Sequence, residues 1–298
     1  MASTTAAFPP GVRGMVEYAV TESAPAAVRP PHRGLPSSTL TLVFATDAPL
    51  LCSSTFDDWA ERRGNSHDVC VGGFHLRPVY LERPDHQEGV QVAVHPLAAR
   101  RVLGLPAAEL TELTQEGEAV VGARMRALFS RVASAGPGER ATLVTEGLAA
   151  LIERNDGRDA ARREVVAAWT LLERSRGRMS VTEVASRIGV SSRHLSSLVT
   201  AELGIGTKNL GDLLRFESAH SSLLAGLACG SAPRLADLAH AHGYADHAHL
   251  DQAYRRFTGT SPTRWIADEF PIVSLPTVRR ISSETSKPPA APERTLHL

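Results

Sequence analysis

Hydrophobic and polar positions change their period once along the chain. Between residues 37 and 96 apolar residues alternate with polar ones or form short β-branched runs, the pattern of strands half or wholly buried in a sheet. Ser38 to Phe44, Val69 to His75, Pro78 to Leu81 and Val90 to Val94 are the runs that predict strands. Gly72 and Gly73 predict a bulge or turn, and Gln87 to Gly89 a hairpin tip. From Leu97 the apolar spacing becomes helical. It predicts helices over 97–103, closed by Gly104, then over about 106–132 and 139–154.

Prolines mark the boundaries. Residues 1–36 and 271–298 are rich in them, so both flanks are expected to be extended or disordered, at least in part. Within 158–270 there are only Pro233 and Pro262, each expected where a helix begins, because a first-turn N–H has no partner inside the helix. The polar stretch Asn155 to Ala160 is expected to be a linker. The resulting fold class is α+β. A flexible segment 1–36 precedes a β-rich, then helical, sensor or dimerisation domain at 37–157; an all-α domain follows at 158–270, and a flexible tail at 271–298.

The all-α part repeats itself. Thr182 to Ala185 corresponds to Ala236 to Ala239, and Gly189 to Gly243. His194-Leu195 corresponds to His249-Leu250, Val199 to Tyr254, and Gly204 to Gly259. Each unit is a helix with a small alanine, a glycine turn and a second helix with an apolar anchor, which describes a helix-turn-helix. Glycine supplies the positive φ that ends the first helix. Ser191 and Asp246 stand where they can cap the second helix of each unit, and Ser180 with Glu183 matches a capping box. Leu210, Leu213, Leu214, Leu223, Leu224 and Leu227 fit one face of a long helix from about Thr207 to Leu227 between the units.

With these residues in view, segment 162–270 resembles the DNA-binding domain of the AraC/XylS family of transcription regulators. The resemblance rests on Val184-Ala185, Gly189, Ser191, His194-Leu195, Leu203-Gly204, Arg215, Ala219 and Leu238-Ala239. Its most specific part is Gly243-Tyr244, Asp246, His249, Phe257, Gly259, Ser261-Pro262 and Trp265. It implies two helix-turn-helix units entering successive major-groove segments of one operator. Ser197 and Val199 depart from the arginine and phenylalanine frequent in the family's first recognition helix, and Leu250 from the phenylalanine of the second.

By that resemblance Ser192, Arg193, Ser196 and Ser197 face bases from the first recognition helix, and His247, Ala248, Asp251 and Gln252 from the second. Arg193 suits guanine, Gln252 adenine, and Asp251 either a cytosine amino group or the helix flank. Arg255 and Arg256 are expected at phosphates, which position without specifying. The implied partners are a double-stranded DNA operator, RNA polymerase, a small-molecule effector and a second copy of the chain. The stretch 35–97 is similar to an N-terminal domain found with AraC-type regulators of high-GC bacteria. There Arg77 is expected either to bind an acidic effector or to pair as a strand salt bridge.

Composition narrows the alternatives. Lysine plus arginine and aspartate plus glutamate number 32 each. That balance opposes indiscriminate coating of nucleic acid while permitting a local DNA-binding patch. Only Lys208 and Lys287 are lysines, the skew of a high-GC genome. Three scattered cysteines, no long apolar run and no signal-like N-terminus fit a cytoplasmic protein without a membrane. No cofactor, catalytic residue or metal is expected. His240, His242, His247 and His249 straddle a helix break at Gly243. His67, His75, His86 and His95 lack the His-x-His pattern with a following glutamate, and Cys70 is expected to be a core thiol. The alternative reading is an enzyme with its chemistry in 37–155 and an accessory helical domain.

Overall fold

A computed structural model describes residues 8–22, 29–156, 160–230 and 233–269. Among the described residues nine strands form two antiparallel sheets. They are β1 (Val12–Thr21), β2 (His32–Gly34), β3 (Leu40–Ala45), β4 (Leu50–Ser53), β5 (Asn65–His67), β6 (Val69–Gly72), β7 (Val79–Leu81), β8 (His86–Val94) and β9 (Thr114–Glu116). The five-stranded sheet runs β1-β8-β3-β6-β9 and the four-stranded sheet β2-β7-β4-β5.

The period-two pattern explains the layering. Leu40, Leu42 and Phe44 of β3, Val69 and Val71 of β6, and Val90, Val92 and Val94 of β8 face one side of the larger sheet. That side packs on α2 (Ala99–Val102), α4 (Ala123–Ala133) and α5 (Arg140–Arg154) through Val102, Met125, Leu128, Val144 and Leu148. Val43, Ala45 and Cys70 face the other side, where Leu50 and Cys52 of β4 and Val79 of β7 close a second core. A short helix α1 (Phe56–Ala60) follows β4, and α3 (Gly117–Val121) precedes α4.

Three expectations need correction. The flank 1–36 holds a ten-residue strand: Val12 to Thr21 pairs with β8 over its whole length and puts Val12 and Met15 into the core. The proline count concealed the alternation between the prolines. Met1 to Ala7 and residues 23–28 lie outside the described residues, as do 270–298, which hold the expected tail. The expected hairpin tip at Gln87 to Gly89 lies inside β8, where a Cβ on Gly89 would come within 2.2 Å of the Phe44 carbonyl oxygen. Glycine is there because β1 and β3 crowd the strand, not because the chain turns. The expected helix over 106–132 is broken into a 3-10 turn at Ala107–Glu109, strand β9, α3 and α4. Gly122, at φ 86°, separates the last two.

The remaining helices are α6 (Arg163–Arg174), α7 (Val181–Ile188), α8 (Ser192–Leu203), α9 (Thr207–Ala228), α10 (Leu235–Ala241), α11 (His247–Thr258) and α12 (Pro262–Glu269). Pro262 is the first residue of α12, as expected, whereas Pro233 precedes the N-cap Arg234. The principal core crosses from sheet to helices: Trp169, Leu172, Val184, Leu195, Val199 and Leu203 belong to the same apolar cluster as Phe44 and Met125. Trp169 sits with its ring 4.8 Å from His95 and 6.4 Å from Phe74. A third core of Leu213, Phe216, Leu223, Leu238, Tyr254, Phe257 and Trp265 lies among the last four helices, with Leu35, Phe74 and Leu76 packed against it.

Candidate nucleic-acid interface

Each helix-turn-helix is built by its caps. Ser180 Oγ accepts from the Glu183 N–H at 3.2 Å while Glu183 Oε2 accepts from the Ser180 N–H at 2.8 Å, which starts α7. Gly189 ends α7 at φ 83° with free space where a Cβ would stand. Ser191 Oγ then accepts from the His194 N–H at 3.2 Å and opens α8. In the second unit Gly243 has φ 73°, and Asp246 Oδ1 accepts from the His249 N–H at 2.8 Å to open α11.

The caps fix which faces remain outside. Leu195, Val199 and Leu203 of α8 are buried, leaving Arg193, His194, Ser197 and Thr200 exposed and Ser192 and Ser196 half-buried. Ser197 Oγ donates to the Arg193 carbonyl at 3.1 Å, so that hydroxyl is satisfied within its own helix. Leu250, Tyr254 and Phe257 of α11 are buried, while His247, Ala248, Gln252, Arg255 and Arg256 are exposed. Asp251 is half-buried, and its Oδ2 accepts from Arg255 Nε at 2.7 Å. The pair lowers the repulsion a free carboxylate would exert on phosphate. Arg256 donates to Asn209 Oδ1 at 2.9 Å and to Asp212 Oδ2 at 3.3 Å, which ties α11 to the first turns of α9.

The structure also assigns work to residues the sequence left without a role. Arg215 donates to the Gly177 carbonyl at 2.8 Å and lies 5.8 Å from the centre of the Tyr244 ring. One side chain thereby holds the loop before the first unit and the turn of the second. His220 stacks on Phe216, meets Trp265 edge-on at 4.5 Å and lies 3.2 Å from Tyr254 Oη. Burial there pulls its pKa down to about 4.

The histidines around Gly243 do not converge. Among the described residues His240, His242, His247 and His249 form no set with metal-ligand spacing. His249 Nδ1 accepts from the Ala245 N–H at 3.3 Å and its ring meets Tyr244 edge-on, so it staples the turn. His242 is buried with Nδ1 3.0 Å from Ser218 Oγ. Arg77 lies exposed in the loop between β6 and β7, not on a strand.

No helix among the described residues is long and apolar enough to cross a membrane. No curated protein matches this chain. The C-terminal domain of AraT, a response regulator from Geobacillus stearothermophilus, is similar at 23% identity and a TM-score of 0.32, covering 43% of this chain and 95% of that one. ToxT from Vibrio cholerae O395 is similar at 10% identity and a TM-score of 0.46, covering 88% of this chain and 100% of that one. Fatty-acid-bound ToxT from Vibrio cholerae strain SCE256 is similar at 8% identity and a TM-score of 0.45, covering 88% and 97%. The sequence family described as a helix-turn-helix domain matches residues 184–268, from the buried face of α7 to the end of α12. With two capped units of that geometry on the same residues, the segment is a helix-turn-helix domain of the AraC type, the DNA-binding part of a transcription regulator.

Proposed function

We propose that the protein reads two unlike DNA boxes with α8 and α11 and answers to a small-molecule effector through its N-terminal sheet domain. The observation that carries the reading is the pair of capped helices with polar outer faces, joined by a single helix of 22 residues. At 1.5 Å per residue α9 is about 33 Å long, close to the roughly 34 Å between successive major-groove segments on one face of B-DNA. The order of contacts also fits. Arg256 near the end of α11 reaches Asn209 and Asp212 near the start of α9, whereas Tyr254 reaches His220 further along.

Ser192, Arg193, Ser196 and Ser197 then face one box, and His247, Ala248 and Gln252 the other. Arg193 and Gln252 carry the base preferences, for guanine and adenine. Arg255 turns from Asp251 to a phosphate. The effector acts through the segment 96–110, which lies between the sheet and α8. Its Arg100 binds Glu202 of α8, and Ala108 lies beside Gly204. A second chain and RNA polymerase are the further partners of this reading.

Selection of bound duplexes from a random library by the full-length chain, followed by footprinting, tests it. The expected result is two different boxes about ten base pairs apart, with a log–log salt slope near −0.9 per phosphate neutralised. Enrichment of one box only, or affinity that salt hardly changes, would overturn the two-unit reading.

A further inference from the structure

Cys52, His67 and Cys70 stand on three strands in two sheets, and their side chains meet. Cys52 lies in β4, His67 ends β5 and Cys70 lies in β6. All three are buried, at 4%, 5% and 5% exposure. Their ligand atoms all lie within 4.8 Å of one another. The two sulfurs are 3.9 Å apart. A disulfide needs about 2.05 Å. Two thiolates on one tetrahedral zinc ion, each about 2.3 Å from the metal, stand about 3.8 Å apart. The observed separation, an S–H···S contact between the free thiols, matches the spacing of two ligands sharing an ion.

The imidazole is oriented for the same task. His67 Nε2 is 3.0 Å from Thr114 Oγ1, while Nδ1 is buried with no hydrogen-bond partner. With the Nε2–H given to Thr114, Nδ1 carries the lone pair, the tautomer that a metal-bound imidazole requires. Glu116 Oε2 lies 3.7 Å from Nδ1, beside the three ligand atoms but not among them. The N–H groups of Asp68 and Val69 hold that carboxylate at 3.0 and 3.2 Å.

We propose that Cys52, His67 and Cys70 bind one Zn²⁺ ion, with water in the fourth position, and that the ion ties the four-stranded sheet to the five-stranded one. Two thiolates and an imidazole suit zinc over the hard cations magnesium and calcium. The cysteines bind as thiolates and their two protons leave to solvent.

The test uses the full-length chain, stripped with chelator under reducing conditions and then supplied with ZnCl₂ or CoCl₂. The expected result is about one zinc retained per chain through gel filtration. Cobalt gives sulfur-to-metal charge transfer and the intense visible bands of a tetrahedral site. Cys229→Ser, at the exposed thiol, leaves both results unchanged. Cys52→Ser or Cys70→Ser abolishes the charge-transfer band. Thr114→Val, which keeps every ligand, weakens zinc about ten- to a hundredfold. Circular dichroism accompanies each variant, and if a cysteine variant fails to fold, Thr114→Val and the wild-type cobalt spectrum decide. No retained metal, a weak octahedral cobalt spectrum, or full affinity without the two buried thiols overturns the proposal. So does freshly purified protein with a Cys52–Cys70 disulfide and no zinc.

Discussion

Arg100 and Glu202, 102 residues apart, form a two-pronged ion pair: Nε reaches Oε1 at 3.0 Å and a terminal guanidinium nitrogen reaches Oε2 at 3.1 Å. Arg100 belongs to the helix that follows the larger sheet, and Glu202 is the second-last residue of α8. The Glu202 side chain is only 8% exposed, so removing its partner strands a buried carboxylate. Arg100→Ala is expected to cost about 1–3 kcal/mol of stability. Glu202→Gln, which leaves the unpaired charge on Arg100, a side chain more open to water, with an amide oxygen still beside it, is expected to cost less. Thermal melts of the two variants check the order; equal losses would show that stranding the charge is not what matters.

Arg193 and Arg256 should separate base reading from scaffold. Arg193 is exposed, and its carbonyl accepts from Ser197 Oγ, so Arg193→Ala is expected to cost about 1–3 kcal/mol on the selected operator and relax one base position. Arg256 is bound to Asn209 and Asp212, so Arg256→Ala should weaken all sequences alike and also lower the melting temperature. Binding across an operator library together with a melt checks both. Identical profiles for the two variants would remove Arg193 from the reading face.

Two glycines with left-handed backbones should respond differently to alanine. At Gly189 nothing stands within 4 Å of a new Cβ, so the cost is the backbone alone, about 1–2 kcal/mol. At Gly177, φ 68°, the Cβ would come within 1.9 Å of the Gly211 carbonyl oxygen. Overpacking against the backbone of α9 adds about 1–3 kcal/mol. Denaturant titration of Gly177→Ala and Gly189→Ala checks the difference, and equal midpoints would refute it.

Acid should loosen the helical half through His220. Its folded pKa is pulled down to about 4 by burial, against about 6.5 when unfolded. Between those values the unfolded chain holds the extra proton. The contribution is therefore complete above about pH 6.5 and is lost as pH falls toward about 4. His95, half-buried against Trp169, is shifted down to about 4 as well by desolvation and adds to the same slope. His220→Gln keeps a polar atom near Tyr254 Oη but does not titrate, so its melting temperature should fall less between pH 7 and pH 5 than that of the wild type.

The helix-turn-helix units were legible because each rests on local rules. Capping by Ser180, Ser191 and Asp246, the glycine turns and the leucine face of α9 all act within a few residues of chain. What the sequence concealed is long-range. β1 was hidden because its alternation sits between prolines, and its partner β8 is more than sixty residues away. The predicted helix over 106–132 failed because β9 is a strand only through its pairing with β6. Arg215, His220 and the meeting of Cys52, His67 and Cys70 depend on which elements become neighbours. No spacing along the chain announces them.

The division of the apolar interior has a mechanical consequence. α8 is anchored through Leu195, Val199 and Leu203 in the core that also holds Phe44 and Met125, so it moves with the sheet as one body. α11 rests on a separate core, which meets the sheet domain through the partly buried Leu35, Phe74 and Leu76, the Ser38 N–H to Glu217 Oε1, and Arg33 with Asp268 and Glu269. Prying apart a fully buried core costs more than shifting partly exposed contacts and ion pairs at its edge. Such a protein resembles a caliper with one fixed jaw and one stiffly sliding jaw. Operators whose boxes are slightly too near or too far should be accommodated by the second unit, and the strain of a poor site should fall on the contacts of Arg33, Leu35, Phe74 and Leu76.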